Sequence, residues 1–171
     1  ALSNAGVQNY AVVALDAMRG TPLAVANAGL TAYLAMSAVG VLLGGVLAAR
    51  VGRHAAVASV GLVANAAVLG VVVFDSGDAM MIGLLALAGL TTGLIMPARD
   101  MLVRAVTPPG AFGKVFGFVT TGFNIGGAIA PIVFGWMMDT GRPGWTFVAA
   151  ALFSLASIPT VTLSAARPRR P

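Results

Sequence analysis

Cysteine is missing from all 171 residues, and histidine occurs once, at His54. Without thiols there are no disulfides, zinc–thiolate sites or iron–sulfur clusters. No HExxH pattern offers a histidine pair for a metal, so no metal ligands are expected. Charge is the second scarcity. Asp, Glu, Lys and Arg together make up 9% of the chain, against roughly a quarter in a soluble domain. These residues sit in short clusters and leave uncharged stretches of 19 or more residues between them. With no acid or cysteine inside such a stretch, an intramembrane enzyme would lack its nucleophile and base, and the chain is not expected to be an enzyme. Repeated filter residues and charged rings, which mark channels, are absent as well.

What fills the chain instead is apolar: 58% of its residues are hydrophobic and the mean hydropathy is +0.95. A hydrocarbon layer about 30 Å thick takes roughly 20 apolar residues per helical span, and the uncharged stretches have that length. The expected fold is an all-α integral membrane bundle whose first partner is the lipid bilayer. A net charge of +5 and a pI near 11.2 would suit nucleic acid. The bases, however, are scattered singly or in pairs between apolar spans, so no nucleic-acid partner is expected. The opening Ala1-Leu2-Ser3 has no initiator Met and no basic n-region, so it is not a signal peptide. It reads as a fragment entering partway through a helix.

Charges and helix breakers divide the chain into spans. The first covers about 1–15 and is too short to cross. The others cover 23–49, 55–74, 79–96, 111–138 and 144–164. A short amphipathic segment at 98–106 is expected to lie along the membrane surface, and residues 165–171 form a basic tail. One set of connections holds Asp16, Arg19, Asp75, Asp78, Asp139 and Arg142. The alternate set holds Arg50, Arg53, Arg99, Asp100, Arg104, Lys114, Arg167, Arg169 and Arg170. Basic connections face the cytoplasm, which puts the C-terminus inside. Small residues recur four apart, at Gly40 and Gly44, Gly89 and Gly93, Gly113 and Gly117, Gly122 and Gly126. In lipid such pairs let helices approach closely, either as fixed packing or as surfaces that slide.

The turn Gly45-Val46-Leu47-Ala48-Ala49-Arg50-Val51-Gly52-Arg53-His54 resembles the signature of the major facilitator superfamily between paired helices. That signature runs glycine, small positions, Asp, a base, any residue, glycine and two bases. Gly45 then permits close approach, Gly52 the reversal, and Arg50 and Arg53 hold the turn at the headgroups. Ala49 replaces the acid that latches the two halves in the family, and His54 replaces the last base. Gly122-Phe123-Asn124-Ile125-Gly126-Gly127, followed by Pro131 and Gly135, resembles the glycine- and proline-rich helix of antiporter members. Pro131 is either a packing kink or a hinge. The stretch from Pro97 through Arg99, Asp100 and Arg104 to Pro108-Pro109-Gly110 and Lys114 resembles the loop between helices ten and eleven of the fosmidomycin-resistance-type efflux branch.

The resemblance implies that residues 1–171 are helices seven to twelve of a twelve-helix alternating-access transporter, with an N-terminal six-helix half as partner. It further implies proton-coupled efflux of a small organic or drug-like substrate across the bacterial inner membrane, with no cofactor beyond the proton gradient. Uptake or exchange of a metabolite or sugar by the same fold stays open, and so, further off, does a non-transport membrane scaffold or channel. With no charge inside a span, the coupling carboxylate is expected in the other half. Candidate substrate contacts are the uncharged polar pairs that share a helix face: Asn4 with Gln8, Asn27 with Thr31, and Thr120 with Asn124. Each pair could instead only bond neighbouring helices together. Gly45, Arg50, Gly52, Arg53, Arg99, Asp100, Arg104 and Pro131 are the candidate gating residues.

Overall fold

A computed structural model describes residues 1–74 and 77–166, and all regular structure among them is helical. The helices are α1 (Leu2–Arg19), α2 (Leu23–Arg50), α3 (His54–Val72), α4 (Asp78–Val106), α5 (Phe112–Asp139), α6 (Trp145–Ala156) and α7 (Ile158–Ala166). Five segments are long and apolar enough to cross a membrane: α2, α3, α4, α5 and the joint run Trp145–Thr162 through α6 into α7. Their outer surfaces carry side chains such as Leu42 and Phe118, which are 73% and 80% exposed. That exposure would be a liability in water and is neutral in lipid.

Three boundaries differ from those expected. Helix α1 continues past Leu15 to Arg19, because Asp16 does not break a helix whereas Gly20 does. Gly20 adopts φ 62°, and its N–H caps the Asp16 carbonyl, a left-handed closure that glycine adopts without strain. The segment 98–106 is not a separate surface helix but the last turns of α4, which runs through Pro97 for 29 residues. Proline costs the hydrogen bond to residue i−4, here the Gly93 carbonyl. Packing of α4 against both α2 and α3 supplies the support that the broken bond removes. A 29-residue helix is about 44 Å long, so its charged end reaches beyond the hydrocarbon. The span expected over 144–164 is interrupted at Ser157, where Pro159 has no N–H to bond the Leu155 carbonyl. The basic tail, with Arg167, Arg169 and Arg170, lies outside the described residues.

Helix α4 is the spine of the bundle. Its closest neighbour is α2, and α3 packs on its other side. The α2–α4 seam is built from glycine: a Cβ on Gly89 would stand 2.0 Å from the Tyr33 carbonyl oxygen, one on Gly93 2.1 Å from that of Ser37, and one on Gly40 2.3 Å from that of Leu90. The pairs Gly40/Gly44 and Gly89/Gly93 therefore face one another, with backbone on backbone. Gly113, Gly117 and Gly122 have nothing within 4 Å of a Cβ position, so they seat no helix of this bundle. The main core gathers Leu15, Tyr33, Leu69, Met81, Leu85 and Phe147 from α1, α2, α3, α4 and α6. A second cluster surrounds Phe134 on α5, whose ring lies against Gly6 and between Tyr10 and Phe153. Helix α5 leans mainly on α1 and is the least buried of the five spans.

Both ends of the bundle are tied by arginine. At one end Arg19 of α1 donates to the carbonyls of Val72 and Phe74 at the close of α3, and Arg142 lies over the Trp145 ring at 5.9 Å. At the other end, α4 meets α5 through Arg99 over Phe123 at 5.5 Å and Arg104 over Phe112 at 5.9 Å.

Candidate functional site: a polar chain beside a cavity

A cavity of about 560 Å³ opens where the first turn of α1 meets α3, the second half of α4, α5 and the α6–α7 break. Its wall is largely apolar (Leu62, Ile95, Met96, Phe123, Phe153) with polar groups from Asn4, Asn65, Thr92, Arg99, Ser154 and Ser157. That size and mixture suit a drug-sized molecule, since small-molecule sites run to roughly 300–1,000 Å³ with few polar anchors. The Arg99 guanidinium is held by Asp100, with Nε at 3.0 Å and Nη2 at 2.8 Å from Oδ1. The arginine on the wall is thus partnered by a carboxylate.

Four helices share one run of hydrogen bonds along this wall. Asn65 of α3 donates from Nδ2 to the Thr92 hydroxyl of α4 at 2.6 Å. The Thr92 and Tyr33 hydroxyls are 3.3 Å apart, and Tyr33 of α2 donates to Asn4 Oδ1 of α1 at 2.8 Å. Gln8 Nε2 donates to the same oxygen at 3.1 Å. A tyrosine hydroxyl carries one proton. With that proton on Asn4, the Thr92 proton completes the link to Tyr33, so the chain has a single direction from Asn65 to Asn4. Polar side chains in a bilayer interior need partners, and this run satisfies those on α1, α2 and α4. Ser3 and Ser154 add a second tie between α1 and α6, with hydroxyls 2.9 Å apart.

The sequence candidates fall into two groups. Asn4 borders the cavity and Gln8 is bonded to it. Asn27 and Thr31 on α2, and Thr120 and Asn124 on α5, are exposed and lie off the cavity wall. Among the gating candidates, Arg99 is on the wall, paired to Asp100, and Arg104 is exposed over Phe112. Pro131 lies within an unbroken α5, and its carbonyl accepts from the Tyr10 hydroxyl at 3.2 Å. Arg50, Gly52 and Arg53 are exposed where α2 turns into α3. The expected close approach at Gly45 falls one residue earlier. A Cβ on Gly44 would stand 2.9 Å from the Leu94 carbonyl oxygen, while one on Gly45 meets nothing within 4 Å. Gly52 is not among the glycines of positive φ, which are Gly20, Gly110 and Gly141, so its reversal needs no left-handed backbone. Sequence reasoning pairs Thr92 with Met96 on one face of its span, but it does not single out Tyr33, Asn65 and Ser154 as site residues. Asn65 offers the signal of an amide inside an otherwise apolar span, whereas Tyr33, Thr92 and Ser154 share their spans with other polar residues.

A search of the curated proteins finds no match. A scan against protein families matches the Major Facilitator Superfamily over residues 1–171. That match covers the whole chain, and the helical architecture fits a six-helix unit of this family, which comprises transporters rather than enzymes. The chain belongs to the Major Facilitator Superfamily, and it is a multi-pass membrane protein of the secondary-transporter class.

Proposed function

We propose that the chain is the C-terminal half of a proton-coupled exporter of small organic, drug-like compounds. On this reading it works by alternating access with an N-terminal six-helix half, in the bacterial inner membrane, with Arg50, Arg53, Arg104 and the C-terminus in the cytoplasm. The observation that carries it is the hydrogen-bonded chain from Asn65 to Asn4, set beside a cavity of about 560 Å³. Packing alone does not call for four polar side chains on four helices to meet at a void in lipid. Asn4 and Gln8 contribute the α1 side of the site. Thr120 and Asn124 on α5, and Asn27 and Thr31 on α2, present a second polar surface that substrate meets between the two halves. Arg99, Asp100 and the turn around Gly52 act as the gate, without the latching acid whose place Ala49 takes, and the carboxylate that carries protons is in the other half.

Flux in proteoliposomes tests this reading on the complete polypeptide that carries these residues. Saturable release of a drug-like substrate, driven by an imposed proton gradient and abolished by a protonophore, is expected. Conductance that never saturates, or flux indifferent to the gradient, refutes it. Orientation has its own assay in the complete polypeptide, with any cysteine outside these 171 residues replaced. A single cysteine introduced by Arg53→Cys should react with a membrane-impermeant maleimide only in inside-out vesicles.

A further inference from the structure

We propose that the side-chain oxygen of Asn65 is the hydrogen-bond acceptor of this cavity, so that the site selects ligands bearing an N–H or O–H donor on an apolar body. The proposal deepens the transporter reading and rests on it for the location of the site.

Asn65 is 4% exposed and lies midway along α3, between apolar neighbours, on the cavity wall. Its amide orientation follows from chemistry. The atom facing the Ala88 carbonyl at 3.2 Å must be Nδ2, because a carbonyl only accepts. Nδ2 therefore also faces Thr91 at 3.2 Å and Thr92 at 2.6 Å. Oδ1 then points the other way, and it has no hydrogen-bond partner among the described residues. The side chain is thus lopsided: two N–H protons have three acceptors, while an oxygen able to accept two bonds has none.

A buried amide oxygen without a partner is destabilising, and a leucine of similar volume would avoid that cost. The asymmetry fits a residue whose acceptor serves a guest. Oδ1 is covered in this conformation. With one acceptor more than Nδ2 has protons, the amide can rotate and give up a contact while both N–H groups remain bonded. A donor arriving at Oδ1 would also polarise the run through Thr92 and Tyr33 to Asn4, since successive hydrogen bonds reinforce one another. The apolar wall of Leu62, Ile95, Met96 and Phe123 takes the body of the ligand. With Arg99 held by Asp100, the wall does not demand a charged ligand.

The test uses two small probes, 2-naphthol and 2-methoxynaphthalene, in which a methyl group replaces the donor proton. They are equilibrated with the nanodisc-embedded protein, and binding to empty nanodiscs is subtracted. One net hydrogen bond corresponds to about a five- to tenfold preference for 2-naphthol. Asn65→Leu should bring that preference to one while leaving 2-methoxynaphthalene binding unchanged. Asn65→Asp retains a side-chain oxygen that accepts a hydrogen bond and should keep most of the preference. Leu62→Trp fills the cavity and should block both probes. If both probes are blocked by Leu62→Trp but bind equally well to the native protein, Asn65 is not the acceptor and the cavity stands as a site. A preference that survives Asn65→Leu likewise rules Asn65 out as the acceptor. If Leu62→Trp blocks neither probe, the location of the site fails and the proposal with it. Should Asn65→Leu not fold, Asn65→Ala, which also removes the oxygen, gives the same reading.

Discussion

Replacing Gly89 by alanine adds one methyl group to the α2–α4 seam, and the structure fixes what that methyl meets. Its carbon would lie 2.0 Å from the Tyr33 carbonyl oxygen and under 3 Å from the Tyr33 carbonyl carbon and Cα. All three are backbone atoms of a helix, so no side chain can swing away. Ordinary contact begins near 3.4 Å, and the helices must part by more than an ångström to reach it. That separation loosens the dispersion contacts along the seam, which are the main attraction between helices in lipid. Overpacking in a close-fitted core costs about 1–3 kcal/mol. Against this stands a gain of up to about 1 kcal/mol from the better helix propensity of alanine. Gly89→Ala should therefore lower stability by about 1–2 kcal/mol, and Gly93→Val, with its larger and branched side chain, by more. Gly45→Ala isolates the propensity effect, because nothing lies within 4 Å of that Cβ. SDS titration of the folded protein in mixed micelles, followed by near-UV circular dichroism, reads the difference. If Gly89→Ala unfolds at the same SDS fraction as Gly45→Ala, the seam is not a backbone contact and the α2–α4 packing is wrong.

The other expectations are smaller in scope. Tyr33→Phe removes the central hydroxyl of the polar chain. It should cost about 0.6–1.5 kcal/mol of stability and weaken transport more than abundance, as seen by comparing flux with immunoblot. Arg19→Ala removes the cation that caps the carbonyls of Val72 and Phe74. Because the site is partly solvated, a loss of about 1–2 kcal/mol is expected, with faster amide exchange at the close of α3. Asn124→Ala should abolish efflux while leaving membrane abundance normal. Unchanged drug resistance in cells would remove Asn124 from the substrate surface.

The number, order and approximate limits of the spans were legible, because the bilayer sets a length that composition alone reveals. Two limits shifted where a local rule met a stronger neighbour. Pro97 reads as a stop, yet α2 and α3 hold the helix together on either side of it. Pro159 sits unremarked in an apolar run, yet α6 gives way to α7 just before it even though α3 packs on both. The glycine pairs show the same dependence on context. Gly40/Gly44 and Gly113/Gly117 have the same spacing, but only the first meets another backbone within the bundle, and spacing cannot say which helix arrives.

The site was harder to read for a reason particular to lipid. In water an amphipathic stripe marks the face of a helix that turns inward. In a bilayer the inward and outward faces are equally apolar, so α3 presents no stripe, and Asn65 passes for an isolated polar residue on a lipid-facing helix. Pairs such as Asn27 with Thr31 stand out because two polar residues share a face, but both are exposed on α2. Tyr33, two residues from Thr31 and on another face, is the residue that turns inward and carries the chain to Asn4. Inside a membrane an unpaired amide is costly wherever it lies. The more informative sequence signal is therefore a single hydrogen-bonding side chain in a span with no local partner for it, because its partner must come from another helix or from a ligand. Asn65 meets that description twice over: its nitrogen finds α4, and its oxygen has no partner among the described residues.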